Sequence, residues 1–238
     1  PATIHNELIL DDKYVLVGRG IYALKEWGYQ PGVVADVIEQ IIKQSSPLTR
    51  DEIIEKVLEK VLAQEIGNWQ KEVIVVDDDS TDGTAQKLEP FFDRVRVFKH
   101  GRNQGKGAAL RTGFEAAQGN AIIVQDADLE YDPADWSSLL QTLEENPELD
   151  AVYGSRELNP ERRGYWPYVL GVRFLTFLIN LLFGSRLTDV YTGYKLFRAE
   201  AIKSINLESR GFEIEAEITV KILKRGGRIK EVPIHYYP

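Results

Sequence analysis

The chain of 238 residues contains no cysteine and no methionine. Without cysteine it can form neither a disulfide nor a thiolate metal site, a composition that fits a reducing compartment. Histidine is scarce as well. His5, His100 and His235 stand far apart and show no zinc-binding spacing. Basic charge is in deficit: 29 Lys and Arg face 37 Asp and Glu, giving a net charge of −8 and a pI near 5.1. That balance argues against a chain built mainly to coat nucleic acid. A basic segment followed by an apolar run is missing from the N-terminus, so no signal peptide is expected. The chain opens at Pro1, and its start is expected to lie upstream. Long apolar runs are limited to one stretch at 166–184, WPYVLGVRFLTFLINLLFG. A membrane span needs about 20 apolar residues, but Arg173 interrupts this run, and a charge in mid-bilayer is costly. The expected form is a helix buried in protein or lying on a membrane surface.

What is present divides into two parts of different character, 1–64 and 65–238. With 43% hydrophobic and 28% charged residues the chain reads as globular, with room for one large domain or a medium and a small one. The second part alternates apolar strands with helical patterns. EVIVVDDD, VRVFKH, AIIVQ and DAVYGS read as strands, and residues 84–92, 107–117 and 133–145 as helices. Such alternation predicts an α/β domain with a largely parallel sheet. Continuous Val and Ile runs predict strands covered on both faces, and ligands in such sheets sit beyond the carboxyl ends of the strands.

Two carboxylate clusters fall at those ends. Asp77, Asp78, Asp79 and Asp82 follow VIVV; Asp126, Asp128, Glu130 and Asp132 follow AIIVQ. Asp82 precedes Gly83 and Asp132 precedes Pro133, so these two read as turn and helix-cap residues. Asp126 and Asp128 need another reason, because neighbouring like charges repel. A divalent cation such as Mg²⁺ or Mn²⁺ takes oxygen ligands and bridges to substrate phosphates, which would relieve the repulsion. NQGKGAAL at 103–110 places two glycines around Lys106 at a helix start. That arrangement suits a phosphate and equally suits an ordinary glycine-rich helix start. It is not the phosphate loop of nucleotide triphosphatases, which needs Gly-Lys-Ser/Thr after a longer spacing.

Six segments then occur in order: VIVVDDDSTDGT, NQGKGAALRTGFEAAQG, QDADLEYDP, VYGSR, TDVYTGYKLFRAEAI and GFEIEAEITVKILKRGGRIKEVPI. Together they resemble glycosyltransferase family 2, in particular the branch of dolichyl-phosphate mannose synthase and bacterial polyprenyl-phosphate glycosyltransferases, over about residues 53–238. The resemblance implies a GT-A (Rossmann-like) nucleotide-sugar-binding fold. It also implies inverting, metal-dependent transfer from a UDP- or GDP-sugar donor to a polyprenyl phosphate. Asp126 and Asp128 match the family's Asp-x-Asp motif, with Glu130 placed to complete the shell around Mg²⁺ or Mn²⁺. Asp78 matches the aspartate at the nucleotide base or ribose, and Lys106 the lysine near the nucleotide. Asp189 matches a loop lining the site. Arg156 and Arg173 resemble arginines near the acceptor phosphate, and Arg198 is a third candidate cation. Glu213 and Glu215 are read as structural or site-lining. A lipid phosphate is already an anionic nucleophile and needs cations to hold it, not a general base. Residues 166–183 would lie against the cytoplasmic face of the membrane as a peripheral contact.

The pattern is broken at its start. The family's first strand, with a Pro-x-Tyr-Asn-Glu type of ending, is missing, and only the helix DEIIEKVLEKVLAQ follows the family. Position 79 is Asp where glycine is common, and a basic loop usual beyond EVPIHYYP is lacking. In place of the first strand, KYVLVGRGIYALKEWGYQPG and VVADVIEQIIKQSSPLTRDEIIEKVLEK resemble the HARE type of winged helix-turn-helix seen in the bacterial RNA polymerase delta subunit. The expected architecture is therefore a GT-A fold lacking its usual first strand, preceded by a small winged-helix-like α+β segment at 1–64. YVLVG has strand character and is a candidate for the vacant strand position. Gly18, Arg19, Gly20 and Trp27 suggest an alternative function, a nucleic-acid or polymerase-binding module, and an inactive hybrid is a further alternative.

Overall fold

The computed structural model of the chain describes residues 14–18, 21–24, 50–159 and 166–237. The chain divides into two compact units, 1–50 and 51–238. In the first, β1 (Tyr14–Gly18) and β2 (Ile21–Leu24) form an antiparallel hairpin. YVLVG is thus a strand, as its β-branched content requires, and its partner is β2. Arg19, Gly20, Trp27 and the helices expected between 33 and 49 lie outside the described residues.

The second unit follows the expected alternation closely. After α1 (Arg50–Ala63) come β3 (Ile74–Asp77), α2 (Thr84–Leu88), β4 (Arg96–Lys99), α3 (Lys106–Ala116) and β5 (Ala121–Ile123). Next are α4 (Trp136–Glu145), β6 (Ala151–Ser155), α5 (Trp166–Phe183), β7 (Lys195–Arg198), α6 (Ala199–Lys203), α7 (Ile214–Lys224) and β8 (Ile229–Pro233). Asp132 caps the 3₁₀ turn Pro133–Asp135 by accepting from the Ala134 amide. Asp82 accepts from the Thr84 amide and hydroxyl. Both are the cap residues their sequence positions indicate.

β5, β7, β6 and β8 form one sheet in that order. The sheet is mixed rather than parallel: β7 runs antiparallel to both β5 and β6, whereas β6 and β8 are parallel. Alternation along each strand sends Val152, Leu196 and Val232 to one face, against Leu139 and Leu143 of α4 and Val57 and Val61 of α1. Ala151, Tyr153 and Phe197 point to the other, against Phe114 of α3 and Ile214, Ile218 and Ile222 of α7. β6 is buried along its whole length, as a strand covered on both faces must be. Each fully buried Leu or Ile of these layers contributes about 1.5–3 kcal/mol of transfer free energy.

β3 and β4 form a separate parallel pair. β3 and β5 run the same way beside each other. At their amino ends, Glu72 accepts from the amides of Gln118 and Gly119. At their carboxyl ends, Asp78 accepts from the Gln104 and Gly105 amides, and adjacent Lys106 meets Asp126. Yet among the described residues no strand pairs β3 with β5. Between them lies a cavity of about 390 Å³, walled by Ile74, Val76, Ala121, Ile123, Leu110 and Phe114. α1 bridges the interruption. Its Val57 and Val61 pack with the four-stranded sheet, while Leu58 packs with Leu88, Phe91, Val95 and Val75 around the two-stranded one.

The Val73 and Asp77 carbonyls accept from Arg96 and His100 of the β4 edge, and the Val124 amide donates to Lys195. Ladder alternation then turns the amides of Ile74, Val76, Ala121 and Ile123 toward the cavity. Native-state hydrogen exchange should find these four amides less protected than those of Val152 and Leu196. Equal protection would mean that the gap is closed in solution.

Candidate active site

The chemistry gathers at the carboxyl ends of β3 and β5. Asp126 follows β5 directly, and Lys106 opens α3. The Lys106 ammonium lies 3.0 Å from Asp126 Oδ2 and 3.0 Å from Glu215 Oε1, with the Phe212 ring centred 5.5 Å away. Glu215 stands in the first turn of α7, and its second oxygen meets Lys195 Nζ. Lys195 is fully buried and also donates to the Thr192 carbonyl. Burial pushes the Asp126 carboxyl up against the pull of Lys106. Burial would lower Lys106, but Asp126 and Glu215 outweigh it and hold the ammonium firmly protonated. For Glu215 burial acts to raise the pKa; Lys195 and Lys106 prevail and keep it below the usual carboxylate range. Gly193 is needed beside this group, since a Cβ there would sit 2.4 Å from Asp126 Oδ2.

Asp128 is raised mainly by burial and accepts from the Glu130 amide at 3.1 Å. The Glu130 charge also raises Asp128, and its carboxylate interacts with the Tyr236 hydroxyl. Among the described residues no three His, Asp or Glu side chains gather as a metal shell, so the expected trio of Asp126, Asp128 and Glu130 is not assembled. Two carboxylates remain, and they fit a cation that completes its shell with donor phosphates and water, as Mg²⁺ commonly does. Among the described residues, two other than glycine adopt positive φ, Asp79 (62°) and Leu129 (63°). They follow β3 and β5 respectively, and such strain concentrates at functional turns.

Asp78 does not present a free carboxylate. Burial tends to raise it, but the His100 ring at 2.5 Å and the Gln104 and Gly105 amides pull it below its ordinary value. It holds the 103–105 loop against β3. The glycines around Lys106 have a packing reason. A Cβ on Gly105 would meet the Arg210 carbonyl oxygen at 2.4 Å, and one on Gly107 the Ser209 oxygen at 2.2 Å. The Gly107 amide donates to the Arg210 carbonyl at 2.7 Å, so one N–H of this helix start is already engaged.

Two of the expected arginine-side residues pair with each other. Arg156 grips Asp189 through Nε at 2.7 Å and Nη2 at 2.9 Å, beneath the Tyr236 ring at 5.2 Å. Glu231 accepts from the Thr188 and Asp189 amides and fixes that loop. Arg173 pairs with Glu157 at 2.7 Å, and its side chain is 61% exposed. It therefore sits on the surface of α5 instead of inside an apolar run. Arg198 is elsewhere. Its guanidinium donates to the carbonyls of Leu143, Asn146 and Leu149, closing the C-terminal end of α4 beside the amino ends of β5 and β6. That placement corrects the expectation that it joins the other arginines. Glu213 accepts from the Arg210 and Gly211 amides ahead of α7. Lys195, Glu231 and Tyr236 were not singled out from the sequence. For Lys195 a signal exists, a cation inside the apolar strand YKLFR.

A mixed sheet covered by helices on both faces fits a GT-A (Rossmann-like) fold. Comparison with known proteins agrees. Residues 48–205 match the profile of glycosyl transferase family 2, and the chain belongs to that family; it is a glycosyltransferase. It is 31% identical over 218 residues to the Methanocaldococcus jannaschii protein MJ1222, covering 84% of this chain and 87% of that one. It is 30% identical over 180 residues to the undecaprenyl-phosphate mannosyltransferase of Micrococcus luteus, covering 70% of this chain and 72% of the relative. Of two longer Haloferax volcanii glycosyltransferases it spans 28% and 59%. Among solved structures, glucosyl-3-phosphoglycerate synthase of Mycobacterium tuberculosis in complex with UDP superposes with a TM-score of 0.64 at 20% identity, covering 88% of this chain and 77% of that one. At that identity the likeness defines the fold.

Gly107→Ala should destabilise the protein by about 1–3 kcal/mol through overpacking. Gly113→Ala, whose Cβ would find only Val76 at 3.7 Å, should gain about 0.5–1 kcal/mol of helix propensity. Denaturant unfolding midpoints check both. Asp189→Ala leaves Arg156 buried and unpaired and should cost about 3–5 kcal/mol by the same measurement.

Proposed function

We propose that the chain transfers a sugar, with inversion, from a UDP- or GDP-sugar to a polyprenyl phosphate at a membrane surface. The observation that carries the reading is the juxtaposition of Asp126, Asp128 and Lys106 at the carboxyl edge of a GT-A sheet. Asp126 and Asp128 would hold Mg²⁺ or Mn²⁺. When bound there, such a cation would neutralise the donor diphosphate and make it a better leaving group. Lys106 faces the same place and adds a positive charge for the phosphates. The acceptor is an anion, so no base is required of the protein. An acceptor phosphate oxygen attacks the anomeric carbon as the bond to the diphosphate breaks, and the nucleoside diphosphate leaves with the electron pair.

The acceptor side is read from α5. Its inner face buries Val172, Thr176 and Ile179, while Phe174, Phe177, Leu181 and Leu182 stand 58–74% exposed. An apolar helical face in water marks an interaction surface. With Arg173 beside it, the face fits a bilayer boundary and an anionic headgroup. Among the described residues no helix is long and apolar enough to cross a membrane, so the contact is read as peripheral, on the cytoplasmic leaflet. The names of the M. luteus mannosyltransferase and of other polyprenyl-phosphate relatives support the acceptor class.

Calorimetric titration of UDP and GDP, each with and without Mn²⁺, tests the donor side. One nucleotide should bind in a metal-dependent way, and Asp128→Ala should abolish the metal dependence. Silence in every combination would overturn the reading for this chain.

A further inference from the structure

Four charges alternate through the site: Asp126, Lys106, Glu215 and Lys195. In the proposed function the first of them takes a divalent cation, and this sets a conflict. An ammonium 3.0 Å from Asp126 Oδ2 repels a cation that takes the same oxygen. If Asp126 were the only partner of Lys106, lysine and metal would exclude each other. Glu215 changes that. Its Oε1 lies 3.0 Å from the same ammonium. Its other oxygen is anchored by Lys195, itself fully buried and tied to the Thr192 carbonyl.

We propose that Glu215 is a positioning residue that gives Lys106 a second seat. With the metal site empty, Lys106 is the resident cation of Asp126. When the divalent ion arrives, the ammonium shifts its hydrogen bond to Glu215 and stays at the mouth of the site, facing the donor phosphates. The Phe212 ring, 5.5 Å from the ammonium, flanks this short movement. Lys195 keeps Glu215 from following Lys106 toward the metal. The inference rests on the metal placement of the preceding subsection, and its test separates the two.

The measurement is Mn²⁺ affinity of the full chain without nucleotide, read from the paramagnetic resonance signal of free Mn²⁺. Lys106→Met removes the competitor and should tighten Mn²⁺ about tenfold. Glu215→Gln confines Lys106 to Asp126 and should weaken Mn²⁺ about tenfold. In the Lys106→Met background the same Glu215→Gln change should alter affinity by less than about twofold, because no lysine remains to be seated. An equal loss in both backgrounds would mean that Glu215 acts only as a through-space charge, and would overturn the proposal. If Glu215→Gln does not fold because Lys195 is left buried alone, Glu215→Gln with Lys195→Met removes the pair together, and the same two backgrounds are compared. Asp128→Ala serves as the marker. If Mn²⁺ affinity ignores it, the metal placement itself fails, independently of the Glu215 comparison.

Discussion

The second unit is organised around an interruption. β3 and β5 point the same way and frame one strand's width of space, yet no described backbone ladder joins them. A sheet normally carries its own register through hydrogen bonds. Here the relative position of the two halves is set by side chains instead. α1 packs across both sheets through Val57, Val61 and Leu58. Below, α3 lies against the cavity with Leu110 and Phe114, and Glu72 pins the amino ends by taking the amides of Gln118 and Gly119. Among the described residues the facing edges of β3 and β5 have no ladder partner, and a strand edge without one costs free energy. The helices must supply that deficit through burial.

The consequence for chemistry is direct, because the site straddles the same interruption. Asp78 belongs to β3's end and Asp126 to β5's. What couples them is the 103–107 segment, with two amides on Asp78 and the Lys106 ammonium on Asp126. The close approach of Ser209 and Arg210 to Gly105 and Gly107 then fixes that segment from outside. The geometry of the donor side therefore depends on a loop clamp and a buried ion ladder. A ladder of alternating charge is self-compensating: no member is buried without an opposite neighbour, which is the condition for tolerating ions in a low-dielectric interior.

Much of this was legible in the sequence. Strand and helix periodicity placed β3 to β6 and α2 to α4 within a few residues, because continuous Val and Ile runs bounded by Asp and Gly leave little alternative. The antiparallel β7 was not legible, because KLFR is short and carries Lys and Arg at its ends; both charges are absorbed by tertiary partners, Glu215 and the α4 carbonyls. The same blindness misplaced Arg198. A sequence shows that an arginine exists near a motif, not which edge of the sheet its side chain reaches. Glu130 illustrates the limit at closer range. It lies two residues from Asp128 and its charge still reaches that carboxylate, but the positive φ of Leu129 turns the chain between them, and the carboxylate also interacts with Tyr236.

The two remaining arginines differ in what it would take to recruit them. Arg156 is held by a bidentate pair with Asp189, whose own loop is fixed by Glu231. Drawing it toward another anion would leave Asp189, only 1% exposed, buried without its partner, a loss of several kcal/mol. Arg173 is 61% exposed, while its partner Glu157 is only 12% exposed. A phosphate can therefore approach the solvent side of the Arg173 guanidinium while Glu157 keeps its bond. Within the proposed function this divides the labour. Arg156 and Asp189 form a rigid wall of the site, and Arg173, on the helix whose apolar face is turned to solvent, is the cation able to meet an anionic headgroup.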